Sequence, residues 1–377
     1  MTDHGARSFS PDYGPRPPGE HLRRFLDARG IKIVDFARRT GRPTKTISEI
    51  ISGKVAITPE TAVQFERVLG ESAAFWMALE SSHQLSRVRD RETALATSED
   101  AINWAQKFPV GEMLKLKLLS AKPNGSEMVE AVLRAFGVSS ISAWDEYWQK
   151  RLDLSRFKQQ DHNRIDPYAV AVWLRCAEVL SDRIETKPYS EQKFRTKLSE
   201  LREMSLHNWE AISDRLIAEC AEVGVAVALV PMVSNTGLRG AAYWARKDKA
   251  VIVLSDRLKR EANVWFAFFH EACHILEHSK KAVFIDQEDK GTGARDIEAE
   301  ADQFSAEILV PSSVLEAFVS TFGHHVTTMK AQTFKRFASQ QNVPPGLLLT
   351  RLQHHKIIPQ RTSLVKVKRK VEFTVDA

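Results

Sequence analysis

The sequence contains few cysteines and no long apolar run. Three cysteines occur among 377 residues, and this odd, widely spaced set is not typical of a disulfide framework. No segment reaches about eighteen consecutive apolar residues, and the first residues lack the apolar stretch of a secretory signal. These absences argue against a disulfide-stapled secreted domain and against a membrane-spanning chain. We therefore expect a soluble protein of the reducing cytoplasm with no membrane partner.

Low-complexity sequence is also scarce. Apolar residues make up 43% of the chain and charged residues 27%, and 377 residues are enough for about two or three globular domains. Only residues 1–17, rich in glycine, proline and charge, have the composition of a flexible leader. Apolar patterning divides the rest of the chain into three regions, 18–88, 89–210 and 211–377.

The net charge of +6 has an uneven distribution. Residues 21–54 contain nine lysines and arginines against three acidic residues, and a second basic stretch closes the chain over residues 351–370. A basic cluster is typical of a solvated surface as well as of nucleic-acid binding. Charge alone therefore does not distinguish the two.

Residues 18–88 show short apolar segments at helical spacing, separated by glycine or proline, which predict a compact all-helical domain. A first helix ends at Gly30, a second runs from Ile33 to Gly41, and a third from Thr44 to Ile51. Two short helices joined by a tight turn, the second with small polar and basic residues outside, can read a DNA major groove. The residues that we expect to contact DNA are Thr44, Lys45, Thr46 and Glu49 on the third helix, with Arg38, Arg39, Arg42 and Lys54 placed for phosphates.

This stretch resembles the HigA-type antitoxins of the XRE helix-turn-helix family over nearly seventy residues, from Pro18 to Leu85. The specific features are the TISEIISGK core, the ITPETA segment that begins a fourth helix, and FWMALE. Lys32 and Pro43 depart from the family pattern, because they replace the usual polar caps of the second and third helices. The resemblance implies a homodimer that binds double-stranded operator DNA. The alternative is a domain retained only for dimerisation or protein docking.

The region 89–210 is predicted to be helical and to carry no chemistry. Apolar spacing of three and four residues makes segments such as WDEYWQKRL and AVAVWLRCAEVL core-facing helices. We expect Trp144, Trp148 and Trp173 to pack in the core.

An HExxH motif, formed by His270, Glu271 and His274, lies within the apolar, helical segment FAFFHEACHILEH. Positions four apart lie on one face of a helix, so both imidazoles can bind one Zn²⁺ ion, and Glu271 is adjacent to them as a general base. The motif occurs by chance often enough that it does not by itself establish a metal site. A third ligand residue is needed to support the assignment.

A second helical segment, DIEAEADQFSAEILVP, offers that ligand. We expect Glu298 to complete the metal site and Asp302 to hydrogen-bond a ligand histidine. Glu300 is the rival ligand, but it lies two residues away and so on a different helix face. His278, one turn beyond His274, is expected to contact the substrate or transition state, or to be a surface histidine.

These residues resemble the ImmA/IrrE family of metallopeptidases, and the likeness extends from Ile212 to Phe373. The strand VGVAVALVP and the hairpin GLRGAAYWARKDKAVIVLS precede the motif, and KKAVFID, EAEADQFSAEILVP and PPGLLLTRLQHHKIIP follow it. The resemblance implies a gluzincin-like zinc metallo-endopeptidase with a short antiparallel sheet. It also implies that the substrate is a repressor protein, cut in stress response or mobile-element control.

The hairpin carries two further expectations. The strand from Gly240 to Trp244, taken as an edge strand, could align an extended substrate by strand addition, as the gluzincin analogy implies. Tyr243 could steady the oxyanion, or it could be a packing residue. Cys273 points away from the ligand face and is expected to be a buried thiol.

We therefore predict a mainly α protein in four parts: a leader, an N-terminal helix-turn-helix domain of four or five helices, a helical connecting region, and a small α+β zincin-like domain. The first functional hypothesis is a DNA-binding zinc metallo-endopeptidase. The alternative is a HigA/XRE-type transcriptional regulator or antitoxin whose zinc domain is a sensor or scaffold. Glu271 favours the enzyme, because a purely structural zinc site needs no general base.

Overall fold

The computed structural model describes residues 16–125, 127–149, 152, 165–277, 284–285, 295–323 and 326–375. The chain forms two compact units, residues 1–99 and residues 100–377. Among the described residues, no helix combines the length and the apolarity that crossing a bilayer requires. The domain limits expected at 88/89 and 210/211 stay predictions.

The first unit is a helical domain whose helices begin close to the predicted positions. Its elements are α1 (Pro18–Ala28), α2 (Ile33–Thr40), α3 (Thr44–Ile51), α4 (Pro59–Leu69) and α5 (Ala73–Ala96). Lys32 and Pro43 occupy the N-cap positions of α2 and α3, and neither makes a side-chain cap. Thr58 does cap α4, because its hydroxyl accepts a hydrogen bond from the Thr61 backbone N–H at 3.3 Å.

An aromatic cluster forms the centre of this unit. The Trp76 ring lies edge-on to the rings of Phe25, Phe65 and Phe75, with centroids 5.4–5.6 Å apart. Trp76 and Phe65 are fully buried, as is Ile47 on the inner face of α3. The outer face of α3 therefore keeps a fixed orientation relative to the unit's core.

The second unit combines further helices with one sheet. Its helices are α6 (Glu99–Ala105), α7 (Val110–Lys115), α8 (Glu127–Phe136), α9 (Ile141–Trp144), α10 (Pro167–Asp182), α11 (Glu191–Met204), α12 (Trp209–Ala221), α13 (Glu261–Glu277), α14 (Arg295–Leu309), α15 (Ser312–Phe322), α16 (Ala331–Gln340) and α17 (Pro345–His354). The predicted core role of Trp144, Trp148 and Trp173 is confirmed, since each is at most 1% exposed.

The sheet contains β1 (Val225–Val230), β2 (Gly240–Arg246), β3 (Lys249–Ser255) and β4 (Phe284–Ile285), in the order β1-β3-β2-β4. The predicted β2–β3 hairpin is present and antiparallel. The expectation of an antiparallel sheet needs one correction, because β1 pairs with β3 in parallel. The hairpin puts β3, and not β2, beside β1, and this placement sets the direction of the pair.

Both faces of the sheet are covered by helices. Alternate residues of β1 and β3 share one apolar cluster with α12 and α13. On the opposite face, the Tyr243 hydroxyl lies 3.3 Å from Ser181 Oγ on α10. The Lys249 ammonium donates to the carbonyls of Ser181 and Ile184, both at 2.7 Å, at the end of α10. Coverage on both faces explains why β1 and β3 read as continuous apolar runs.

The basic stretch near the C-terminus is partly structural. Arg351 donates to the carbonyls of Ala306 and Val310, which end α14. Arg369 forms an ion pair of 2.5 Å with Glu261, the first residue of α13. Burial raises the pKa of Glu261 to about 7, and the nearby Arg369 opposes that rise. These internal partners account for part of the local charge excess without nucleic acid.

Helix α1 packs on α3 through a glycine, and this contact generates a prediction. A Cβ added at Gly19 would lie 2.0 Å from the Ile50 carbonyl oxygen and 2.6 Å from Ile51 Cα, which are backbone atoms that cannot swing aside. We expect Gly19→Ala to destabilise the first unit by about 3 kcal/mol, the upper range for overpacking. Hydrogen exchange of the α3 amides measures the loss of protection. The control is Gly111→Ala in α7, where a Cβ meets nothing within 4 Å; equal protection of α3 in both variants would contradict the prediction.

Candidate metal centre

Two packed helices bring the predicted ligands together. His270 and His274 lie one turn apart on α13, and Glu298 and Asp302 lie one turn apart on α14, which packs against α13. Both histidines are 1% exposed, and the Glu298 side chain is 16% exposed. The ligand atoms of His270, His274 and Glu298 all lie within 4.8 Å of one another.

The donor distances match a zinc site. His270 Nε2 lies 3.1 Å from His274 Nε2 and 3.0 Å from Glu298 Oε2, and His274 Nε2 lies 3.5 Å from Glu298 Oε1. Tetrahedral zinc with bonds of about 2.0–2.1 Å holds its nitrogen and oxygen donors about 3.3 Å apart. Two imidazoles and one carboxylate are also the ligand set of gluzincin-type sites, which keep one position for water. The residues present therefore fit Zn²⁺.

Asp302 orients one of the two imidazoles. Its Oδ1 atom lies 3.0 Å from His270 Nδ1, on the ring edge opposite the ligand cluster. A carboxylate at this position favours the tautomer with the proton on Nδ1, which leaves the Nε2 lone pair directed at the cluster. The Asp302 side chain itself is 59% exposed.

A buried serine forms a second hydrogen bond between α13 and α14. The Ser305 hydroxyl, on α14, donates to the Phe266 carbonyl on α13 at 2.8 Å. Phe266 lies one turn before His270, so this bond helps to set the register of the two ligand-bearing helices.

Glu271 is fully buried on α13, next to His270 in sequence. Its carboxylate lies against the start of β2, where a Cβ built on Gly240 would be 2.6 Å from Glu271 Oε1. The sequence prediction includes Glu271 as general base but names Gly240 only as the start of a substrate-aligning strand, with no relation to Glu271. A glycine inside a strand pattern is a signal for close approach of another group to the backbone, and it could have identified this residue.

Other predicted residues lie in different places. Glu300 is exposed on α14 and is not part of the ligand cluster. Tyr243 and Gly240 lie on opposite faces of β2, and the Tyr243 hydroxyl reaches Ser181 on α10, which favours its packing alternative over contact with an oxyanion. His278 lies outside the described residues.

Two further expectations concern the surroundings of the site. Strand β4 pairs with β2 at Ala241 and Ala242, so β2 is not an edge strand there. The expectation that an extended substrate adds to β2 as a further strand is wrong at these two positions. Cys273 is fully buried as predicted, and burial raises the pKa of its thiol to about 12. A thiol with so high a pKa is a poor ligand and a poor nucleophile.

The residues of the first unit that are predicted to contact DNA differ in their exposure to solvent. Thr44, Lys45, Arg38 and Lys54 are exposed, and Lys45 reaches 85% side-chain exposure. Arg42 is different, because its guanidinium donates to Gln64 and lies 3.8 Å from Glu60 on α4.

The remaining contacts on α3 are less open to solvent. Thr46 is half-buried, and Glu49 is half-buried beside Lys45, at 4.0 Å. Arg42 therefore links the turn between α2 and α3 to α4, and the DNA contacts of all these residues stay predictions.

Two family models match the chain. The IrrE N-terminal-like domain of a peptidase family matches residues 220–353, and a helix-turn-helix model matches residues 22–76. The first match includes both ligand-bearing helices, α13 and α14. The second runs from within α1 into the first turn of α5.

Individual relatives match about a fifth of the chain. Virulence-associated protein A of Dichelobacter nodosus is 37% identical over 76 residues, which are 20% of this chain and 74% of the relative. The uncharacterised HTH-type transcriptional regulator YddM of Escherichia coli is 33% identical over 72 residues, 19% of this chain and 76% of the relative. The solved structure of the Pseudomonas aeruginosa antitoxin HigA with the higBA promoter is 30% identical, with a TM-score of 0.20, over 21% of this chain and 86% of that chain.

The two glutamates of α14 provide a test of the ligand set. We expect Glu298→Ala to lose bound zinc, because one of three clustered donors is removed, whereas the exposed Glu300→Ala should keep about one zinc per chain. Elemental analysis of the purified proteins after dialysis against a weak chelator measures the content. Equal zinc in wild type and Glu298→Ala would rule out Glu298 as a ligand, and loss from Glu300→Ala alone would assign the rival.

Proposed function

The chain belongs to the helix-turn-helix family through residues 22–76 and carries an IrrE-like, metallopeptidase-type domain over residues 220–353, and from this premise we propose that it is a DNA-binding zinc metallo-endopeptidase. Its substrate in this proposal is a protein, a transcriptional repressor, whose cleavage in the cytoplasm releases stress-response or mobile-element genes. The protein acts as a homodimer on operator DNA.

One observation carries the enzymatic part of the proposal. A buried carboxylate that is not part of the ligand cluster, Glu271, follows the first ligand histidine directly and lies on the same helix as both. A structural metal site needs ligands only, and burying a further carboxylate beside them costs free energy. A hydrolytic site has a use for that carboxylate as a proton acceptor.

The chemistry divides between the metal and the side chains. Bound zinc supplies the Lewis acidity that activates water and polarises the scissile carbonyl. The Glu271 carboxylate accepts a proton from the attacking water and delivers it to the leaving amide nitrogen. Asp302 keeps the proton of His270 on Nδ1, so that the Nε2 lone pair stays available, and Glu298 balances part of the metal's charge.

The first unit contributes DNA binding. In a helix-turn-helix, α3 lies in the major groove with its exposed N-terminal residues toward the bases. Lys45 and Thr44 are exposed at that end of α3. Arg38, in the last turn of α2, and Lys54, just after α3, are exposed and are proposed to contact phosphates. Arg42, in the turn between α2 and α3, bonds Gln64 and lies near Glu60, so this turn is held against α4.

Substitution of the proposed general base separates metal binding from catalysis. We expect Glu271→Gln to keep about one zinc per chain, because Gln leaves the three donors in place, and to lose at least about 10²-fold in cleavage rate, since an amide cannot accept the proton. The substrate is found by comparing the proteomes of cells that express wild type and Glu271→Gln. The cleavage rate of that purified substrate is then measured with both proteins.

The matched control for this substitution is Glu277→Gln, on the same helix and paired with Arg195 at the surface. Its cleavage should equal that of wild type. Undiminished cleavage by Glu271→Gln would remove the general-base role, and identical proteomes would favour the regulator whose zinc domain is a sensor or scaffold.

DNA binding should depend steeply on salt. For a DNA duplex selected from a random library, we expect the logarithm of the association constant to fall linearly with the logarithm of the salt concentration, with a slope of about −0.9 per phosphate neutralised. Lys54→Ala should reduce the magnitude of this slope by about one phosphate contact. Fluorescence anisotropy at several salt concentrations measures the association constants from which the slope is obtained. Lys193→Ala, an exposed lysine on α11, serves as the control and should keep the wild-type slope. A flat response in wild type would instead favour a domain retained for protein docking.

A further inference from the structure

Gly240 is the first residue of β2 and pairs with Leu254 of β3. A Cβ at this position would lie 2.6 Å from Glu271 Oε1, 3.0 Å from Glu271 Cγ and 3.1 Å from the Val253 carbonyl oxygen. Two of the three nearest atoms to an added Cβ therefore belong to the Glu271 side chain, and the third is a backbone atom of β3.

This glycine differs from the others that are closely approached. At Gly19 and Gly224 the nearest atoms to an added Cβ are backbone atoms of α3 and of Tyr189, so a side chain there would separate whole segments. At Gly240 the nearest atom is the end of a flexible side chain. An alanine here would displace the carboxylate most, while the Val253 carbonyl oxygen at 3.1 Å would have to give by only a few tenths of an ångström.

Glu271 has a defined position relative to the ligand cluster. On α13 it lies about 60° around the helix axis from His274 and about 100° from His270, at about 100° per residue. The backbone of β2 borders the carboxylate from the sheet side, because α13 packs on β2 and Gly240 presents no side chain. The strand thus limits how far the carboxylate can extend toward the sheet.

We propose that Gly240 is a positioning residue, whose missing side chain creates the niche that holds the Glu271 carboxylate at its working distance. The inference rests on the proposed role of Glu271 as general base. To reach an ordinary contact of about 3.4 Å from an alanine Cβ, Oε1 must move by about 0.8 Å, and reactive geometry tolerates only about 0.5 Å. A displacement near 1 Å can cost about 10²-fold in rate.

The first test asks whether the contact exists, and it needs no metal and no substrate. Urea unfolding is measured for the metal-free wild type, Gly240→Ala, Glu271→Ala and the double variant. We expect Gly240→Ala to lower the denaturation midpoint in the wild-type chain and to lower it clearly less when Glu271 is already alanine, because the carboxylate is then absent. Equal shifts in the two backgrounds would overturn the proposal. If Gly240→Ala alone fails to fold and the double variant folds, the contact is supported.

The second test asks whether the carboxylate moves relative to the metal. Cobalt(II) replaces zinc as a probe, and its visible absorption reports the immediate surroundings of the ion. We expect Gly240→Ala to bind as much cobalt as wild type but to show the altered spectrum of Glu271→Ala. The control is Gly346→Ala, where the nearest atom to an added Cβ, Lys368 Cα, lies at an ordinary 3.5 Å. A wild-type spectrum for Gly240→Ala would overturn the proposal.

Rescue by a shorter acid separates positioning from general damage. Glu271→Asp withdraws the carboxylate by one methylene, so it should relieve the contact in the Gly240→Ala background. We expect Gly240→Ala to lower kcat about 10²-fold with KM unchanged, and Glu271→Asp to cost far less in the Gly240→Ala background than in wild type. Additive losses would contradict the inference. If no protein substrate is cleaved by wild type, the proposed function fails, while the unfolding and cobalt experiments still decide the role of Gly240.

Discussion

The packing of α13 against α14 is the contact on which the proposed chemistry depends. It buries two imidazoles and most of a carboxylate, so that their donor atoms lie within 4.8 Å of one another. Such burial is costly unless each polar group has a partner, and a shared cation would provide one for all three. The bond from Ser305 to the Phe266 carbonyl and the contact of Asp302 with His270 are consistent with this arrangement, because they set helix register and ring orientation.

The sheet has a less obvious part in the same site. Its strands are apolar on both faces because α10 covers one face and α12 and α13 cover the other. This double cover fixes the height of α13 above β2, and Gly240 then allows Glu271 to approach the strand. A precise distance between the carboxylate and the ligands thus follows from packing over the whole unit, which is stiff because protein interiors are close-packed.

The two units have separate cores, and each serves its own task. In the first, Trp76 and its aromatic neighbours orient α3, while Gly19 lets α1 approach it closely. The helices α2 and α3 form without side-chain caps at Lys32 and Pro43, so tertiary packing, rather than capping, maintains them.

Sequence patterns and the resemblances they carry were sufficient to predict the positions of α1, α2 and α3, the β2–β3 hairpin and the cluster of His270, His274 and Glu298. The helices and the shared face of His270 and His274 depend on spacings of three or four residues, which helix geometry converts directly into one face. The place of Glu298 was predicted from the gluzincin pattern, and it depends on the packing of α14 against α13. The parallel pairing of β1 with β3, the contacts of Arg42 with α4 and of Tyr243 with Ser181, and the close approach of Glu271 to Gly240 were decided only by the tertiary structure. Each of them depends on which distant segment lies alongside, and that choice is made by the packing of the whole unit.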